Sequence, residues 1–470
     1  MTTLIQNGTV VTATGRHAAD VLVDGTTIAA VLMPGSDAAA SAAAGAERII
    51  DATGKYVVPG GIDCHTHMEL PFGGTFASDT FEIGTRAAAW GGTTTIIDFA
   101  VQKTGENVRD CLEQWFAKAE GECAVDYAFH MIMGGVDDAA LKEMDSLVNE
   151  GITSFKLFMA YPGVFYSDDA QIFRAMQVAA DNGAMICMHA ENGIAIDVLG
   201  EQAAARGQTD PIYHGITRHP RFEGEATNRA IQLALVAGAP VYFVHLSASE
   251  ALERVAEARD QGHNVFAETC PQYLYLNLED HLGAPGFAGA GYVCSPPLRT
   301  KHEHHHADLW QGLRTNDLAI VSTDHCPFCM KDQKELGRDD FRAIPNGIGG
   351  VEHRMDLIYQ GVVMGELTLE RWVETCSTTP ARMFGLYPQK GTISPGSDAD
   401  IVLYDPNATT HISVDTHHMS MDYSAYEGID IDGKVDTVIS KGKVLIQDGA
   451  YHGAKGDGAY LRRGLSTYLT

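Results

Sequence analysis

The chain has 470 residues, 45% hydrophobic and 20% charged. That is the composition of a globular protein with a sizeable core. With 33 Lys and Arg against 61 Asp and Glu, the formal net charge is −28, which argues against a nucleic-acid footprint and against docking on anionic membranes. No run of about 18 apolar residues reads as a membrane span, and no export signal is evident. The nine cysteines lack a paired framework and read as reduced thiols, so a cytoplasmic location is expected.

Residues 1–35 alternate apolar and polar, with Asn7-Gly8 and Asp24-Gly25 as turn signals between short strands. They predict a small antiparallel β unit. Residues 36–46 read as an Ala-rich loop. Residues 56–58 then lead into Val58-Pro-Gly-Gly-Ile-Asp-Cys-His-Thr-His67. In a strand, positions i and i+2 share a face, so His65 and His67 can aim two imidazoles at one point. Imidazole is a ligand for zinc and similar metals. Alone, such a pair is as consistent with chance as with a metal site.

Beyond it the pattern changes. Short apolar runs at 57–65, 93–101, 124–134, 152–160, 184–190, 240–247, 263–270 and 318–325 alternate with longer stretches of helical periodicity, among them 170–182, 225–237, 249–261 and 304–315. Continuous apolar runs suit parallel strands buried on both faces. Eight such units between 61 and 385 predict a (β/α)8 TIM-like barrel with insertions; a doubly wound sheet is the structural alternative. After Gly385, strand patterns return at 399–404, 435–440 and 443–446. Residues 386–470 are expected to complete, with residues 1–60, a small β-sandwich domain. From about Tyr451 a tail is expected that packs on a neighbour or stays loose.

Ionisable residues stand at or near the ends of five of the eight runs: His65 and His67 on the first, Lys156 on the fourth, His189 on the fifth, His245 on the sixth and Asp324 on the eighth. A barrel collects the C-terminal ends of its strands at one mouth, where active sites lie. A single histidine there is more often a satisfied core residue than a ligand. Four of them with an Asp at matching ends argue for a site. Lys156 lies among large apolar side chains, where a lone ammonium is costly. If its amine adds carbon dioxide it becomes an anionic carbamate with two oxygens able to bridge two cations. Four imidazoles, a carbamate and an Asp form the inventory of a two-metal hydrolytic site.

Along nearly its full length the chain resembles the amidohydrolase superfamily, and within it the dihydropyrimidinase/D-hydantoinase family. The stretches that carry the resemblance are Pro59-Gly-Gly-Ile-Asp-Cys-His-Thr-His67, Phe155-Lys-Leu-Phe-Met-Ala-Tyr161, Met188-His-Ala-Glu-Asn192, Val244-His-Leu-Ser247, Cys294-Ser-Pro-Pro-Leu-Arg299, Ser322-Thr-Asp-His-Cys-Pro-Phe328 and Pro345-Asn-Gly-Ile-Gly349. The resemblance implies that His65, His67 and Asp324 hold one divalent metal with carboxylated Lys156. It implies that His189 and His245 hold a second metal with the same carbamate, and that a hydroxide bridges both. Zinc is the expected metal, with manganese or cobalt as alternatives. It further implies that Asp324 relays the proton, that Tyr161 supports the oxyanion, and that Ser295 and Asn346 contact the ring amide. Phe72, Phe158 and Phe165 are implied to line the pocket for the ring substituent. The expected reaction opens dihydropyrimidines, such as 5,6-dihydrouracil, or 5-substituted hydantoins to N-carbamoyl amino acids, in a homotetramer.

Three readings compete. Beside the hydantoinase stand the sister hydrolases allantoinase and dihydroorotase. The latter's resemblance is to a His-x-His followed closely by Arg, whereas here Met68-Glu69-Leu70 follow. The third is a non-catalytic scaffold of the collapsin response mediator type, which loses the metal ligands; this chain keeps all six candidates. Glu191 and Asn192 read as supports for His189, His325 as structural, Met131 and Met133 as core filling, and His302 with His304 to His306 as a solvated cluster. Cys326-Pro-Phe-Cys329 has redox-motif spacing without the surrounding context.

Overall fold

The computed structural model describes residues 1–469. Both chain ends build one mixed sheet of nine strands. Thr2–Thr12, Gly15–Asp24 and Thr27–Leu32 pair antiparallel. Tyr56–Pro59 lies parallel to the first of these and antiparallel to Ile401–Asp405. From there the sheet continues through Lys434–Ser440 to Lys443–Gln447. Ile5, Val10, Val21, Val57, Ile401, Leu403 and Ile439 form its own small core, so the far C-terminal strands are stitched to the N-terminal ones as the alternating pattern predicts.

Three local expectations here are corrected. Asn7-Gly8 is not a turn between strands. It lies inside the first strand, where Asn7 takes φ 65° and its N–H donates to Asp20 Oδ1 at 2.9 Å, and the ladder slips register between Ile5 and Gly8; a β-bulge uses the same residues as a turn. Residues 36–46 are not a loop: Asp37–Gly45 is helical, capped by Ser36 Oγ on Ala39 N at 3.2 Å. Alanine is the best helix former, and a serine cap satisfies a free N–H. The 57–65 run is two strands in two sheets, because the chain crosses at Gly60, where a Cβ would meet Thr94 Oγ1 at 2.1 Å.

The barrel strands are Gly61–Thr66, Thr93–Val101, Asp126–Ile132, Ser154–Phe158, Met185–His189, Val241–Phe243, Val265–Thr269 and Ile320–Val321. They pair in parallel in that order. Every residue in them is buried, which is why they read as unbroken apolar runs. The seam between first and last strands is drawn together beyond the last strand: His67 N–H donates to His325 O at 2.8 Å and His325 N–H donates to His65 O at 3.3 Å. The helices Asp169–Asn182, Pro220–Ala237, Ser249–Asp260 and His305–Thr315 cover it near the expected positions.

The tail is not loose, because it binds this chain's own barrel. Leu461 N–H donates to Tyr127 O at 2.7 Å, and Arg463 is buried with its guanidinium on Phe129 O and Ser154 Oγ. These bonds tie the chain end to barrel strands three and four. Among the described residues no helix is long and apolar enough to cross a membrane.

Candidate metal centre and active site

The strand ends converge as a barrel requires. His65 Nε2 lies 3.2 Å from His67 Nε2, 3.0 Å from Lys156 Nζ and 3.1 Å from Asp324 Oδ1. His67 Nε2 lies 3.3 Å from the same Asp324 oxygen. Beside them His189 Nδ1 faces His245 Nε2 at 3.0 Å. All six residues are buried. Among the described residues, His65, His67 and Asp324 bring ligand atoms within 4.8 Å of one another.

The backbone is bent to make this convergence. Tyr161, His245 and Asp324 take φ of 62°, 42° and 52°, left-handed conformations that cost non-glycine residues about 1–3 kcal/mol. Strand six therefore stops at Phe243 and strand eight at Val321, short of the runs read from sequence. His245 and Asp324 sit just past the ladder and turn inward.

Two of the four imidazoles are held from outside the centre. His65 Nδ1 is held by Glu268 Oε1 at 2.5 Å, and His189 Nε2 by Glu191 Oε2 at 2.7 Å. Each carboxylate fixes a proton on the outer nitrogen and leaves the inner one as an acceptor. Burial pushes His67 down to about 3 and holds His189 and His245 below the ordinary imidazole range, so these rings are neutral. Ring nitrogens facing one another at 3.0–3.2 Å need a proton or a cation between them. Although burial opposes it, the His65 and His67 imidazoles beside it hold Asp324 well below the usual carboxylate range. Burial lowers the Lys156 amine, which lies over the Phe99 and Phe158 rings at 4.3 and 4.9 Å. The donor set fits divalent metal.

Around the centre, Asn346 Nδ2 donates to Ser295 Oγ at 3.1 Å and to Tyr161 Oη at 3.3 Å. Phe72, Phe158 and Phe165 wall the same cavity, with Phe158 and Phe165 stacked at 5.1 Å and Phe72 edge-on to Tyr161 at 5.4 Å. Every residue singled out for metal or substrate by the sequence lines this cavity or contacts a residue that does.

Sequence reading missed Glu268, on strand seven, although a carboxylate in a buried apolar run was its signal. It also missed Arg218, whose guanidinium meets Glu191 Oε2 at 2.8 Å and which ends a short helix with no periodic mark. Asp98, on strand two, accepts from Thr66 Oγ1 at 2.7 Å and Met68 N at 2.9 Å, bracketing His67. The 302–306 histidines are not a uniformly solvated face. His305 is buried, with Nδ1 3.0 Å from Ser249 Oγ and Nε2 2.9 Å from Glu303, because the start of its helix packs on Ser249. His325 is buried between Asp79 Oδ2 at 3.0 Å and the Gly350 N–H.

Comparison with known proteins agrees with this geometry. Residues 56–445 match the family model described as "Amidohydrolase family". The chain is 62% identical to a D-hydantoinase of Streptomyces coelicolor, covering 100% of this chain and 99% of that one. It is 48% identical to a D-hydantoinase of Geobacillus stearothermophilus, covering 98% and 97%. The crystal structure of dihydropyrimidinase from Brevibacillus agri superposes with a TM-score of 0.95 at 47% identity, covering 99% of each chain. The chain belongs to the amidohydrolase family and, within it, to the cyclic amidohydrolases of the D-hydantoinase/dihydropyrimidinase group.

Proposed function

We propose that this chain hydrolyses the ring amide of 5-substituted hydantoins and of dihydropyrimidines such as 5,6-dihydrouracil, giving N-carbamoyl amino acids. The observation that carries the reading is the convergence of His65, His67, Lys156, His189, His245 and Asp324 on one buried point. His65, His67 and Asp324 would hold one divalent cation and His189 and His245 another, zinc being the expected metal. Lys156 lies next to His65 and within the same pocket. Addition of carbon dioxide to its amine forms an N–C bond, releases one proton and leaves a carbamate whose two oxygens can be shared between the cations. When bound, such a pair of cations supplies hydroxide at neutral pH and polarises the carbonyl.

The chain's own groups do the rest. Asn346 and Ser295 orient the ring amide. Tyr161, kept protonated by burial, donates its hydroxyl proton in a hydrogen bond to the oxygen that gains charge, a preorganised donor of the kind that contributes most to such reactions. Asp324, ionised and bent into the centre, accepts the proton of the attacking water and returns it to the leaving ring nitrogen. Phe72, Phe158 and Phe165 exclude water from the side where a C5 substituent would lie.

We also expect a homotetramer, on the family resemblance; exposed Ile194, Val198, Ile216 and Val236 leave apolar surface for it. A cytoplasmic setting is supported by nine cysteines that are all free. The test is ring opening of hydantoin and 5,6-dihydrouracil by the zinc-loaded chain with bicarbonate, read as loss of ultraviolet absorbance and as N-carbamoyl product by mass. Turnover of either ring supports the reading. No turnover of either by a chain carrying two zinc ions would reject these substrates.

A further inference from the structure

Three loops meet around the proposed substrate: the one carrying Ser295, the one carrying Asn346, and the hairpin Pro71–Phe72 with Thr75–Phe76, which carries Phe72. They come from distant parts of the chain. One dipeptide outside the cavity lining touches all three.

The Lys334 side chain is fully buried. Its ammonium donates to Pro345 O at 2.7 Å, Gly347 O at 2.8 Å and Val293 O at 2.9 Å. An ammonium has three N–H donors, and all three are used. The acceptors flank Asn346 on both sides and stand two residues before Ser295. The neighbouring Gln333 amide points to the hairpin instead: Nε2 donates to Phe76 O at 2.6 Å and Thr75 Oγ1 at 3.1 Å, while Oε1 accepts from Cys329 N at 2.6 Å. Close packing backs the arrangement, since a Cβ on Gly337 would lie 2.3 Å from Ile344 N. Burying an ammonium without a carboxylate partner is expensive. Burial indeed draws Lys334 down to about 7. A methionine of similar length would leave the Pro345 and Gly347 carbonyls without this donor, so the ammonium itself joins the two loops.

We propose that Gln333 and Lys334 are a clasp that positions the substrate loops, with a division of labour. Lys334 sets the register of the Ser295 and Asn346 loops and so the grip on the ring amide that every substrate shares. Gln333 sets the Phe72 hairpin and so the fit of the C5 substituent. The inference rests on the functional reading above.

The experiment compares unsubstituted hydantoin with 5-phenylhydantoin, using the zinc-loaded full chain. Lys334→Met is expected to raise KM for both rings about tenfold or more, with kcat within about threefold and zinc content unchanged, as lost positioning hydrogen bonds should. Gln333→Leu is expected to leave hydantoin kinetics alone and to lower kcat/KM for 5-phenylhydantoin about threefold to tenfold. If Lys334→Met does not accumulate as folded protein, Lys334→Gln, which keeps two N–H donors, serves in its place and should give an intermediate KM. Unchanged KM in the Lys334 variant, or equal effects of the two substitutions on both substrates, overturns the clasp. A wild-type chain inactive on both rings overturns the functional reading itself, and the clasp's role with it.

Discussion

Glu268 Oε1 stands 2.5 Å from His65 Nδ1 with both side chains sealed from water. The same oxygen accepts the His245 N–H at 3.0 Å, and the other carboxylate oxygen accepts the Tyr242 hydroxyl at 2.6 Å. One carboxylate thus orients the His65 ring and anchors the backbone of His245, a candidate ligand of the second proposed cation. Loss of such support costs about 10–100-fold in metal affinity. Glu268→Ala is expected to bind zinc that much more weakly in a chelator competition, with His65 and His245 still present.

Arg218 meets Glu191 at 2.8 Å, and Glu191 holds His189 at 2.7 Å. Against the cost of burial, the Arg218 guanidinium keeps Glu191 ionised. Removing one partner of a buried pair leaves a stranded charge and costs about 3–5 kcal/mol. Arg218→Met should lower the melting temperature and weaken zinc binding together. Glu191→Gln with Arg218→Met should recover part of the lost stability.

Phe165 stacks on Phe158 at 5.1 Å and lies parallel to Phe72 at 6.4 Å. Phe165→Ala removes an apolar wall from the proposed substituent side without touching the metal candidates. The kcat/KM for 5-phenylhydantoin is expected to fall by about 1–3 kcal/mol, and that for unsubstituted hydantoin to hold. Steady-state kinetics on the two rings measures the difference.

Asp356 is not among the residues lining the candidate site and is buried with Oδ1 lacking a hydrogen-bond partner. Burial raises its carboxyl from 3.8 to about 7. A raised acid is favoured in its protonated form when folded, so its contribution is present at low pH and is lost as pH climbs from 3.8 towards 7. Asp356→Asn removes that dependence. The variant's melting temperature should gain on wild type through this window and keep a constant lead above it; parallel curves across the window would refute the assignment.

The barrel was legible because its strands are buried on both faces and so carry no alternation, while the helices between them do. The six candidate ligands were legible because charged and imidazole groups at the ends of apolar strands have no other common cause. What stayed hidden has physical reasons. Asp37–Gly45 lacks an apolar stripe, so its helix rests on alanine and a serine cap. The tail is held by backbone bonds and one buried arginine, Arg463, which leave no periodic trace. Arg218, Gln333 and Lys334 act through loops, where partners are set by tertiary placement alone. Glu268 was readable by the same rule as Asp324, since it too interrupts an apolar run near a strand end.

The most direct test of the central claim is zinc content and turnover of Lys156→Ala beside wild type, each purified with zinc and bicarbonate. The account predicts about two zinc ions per wild-type chain, with loss of both zinc and ring opening in the variant, because Lys156 supplies the group that the two cations share. A Lys156→Ala chain that keeps its zinc and opens the ring at the wild-type rate would contradict it.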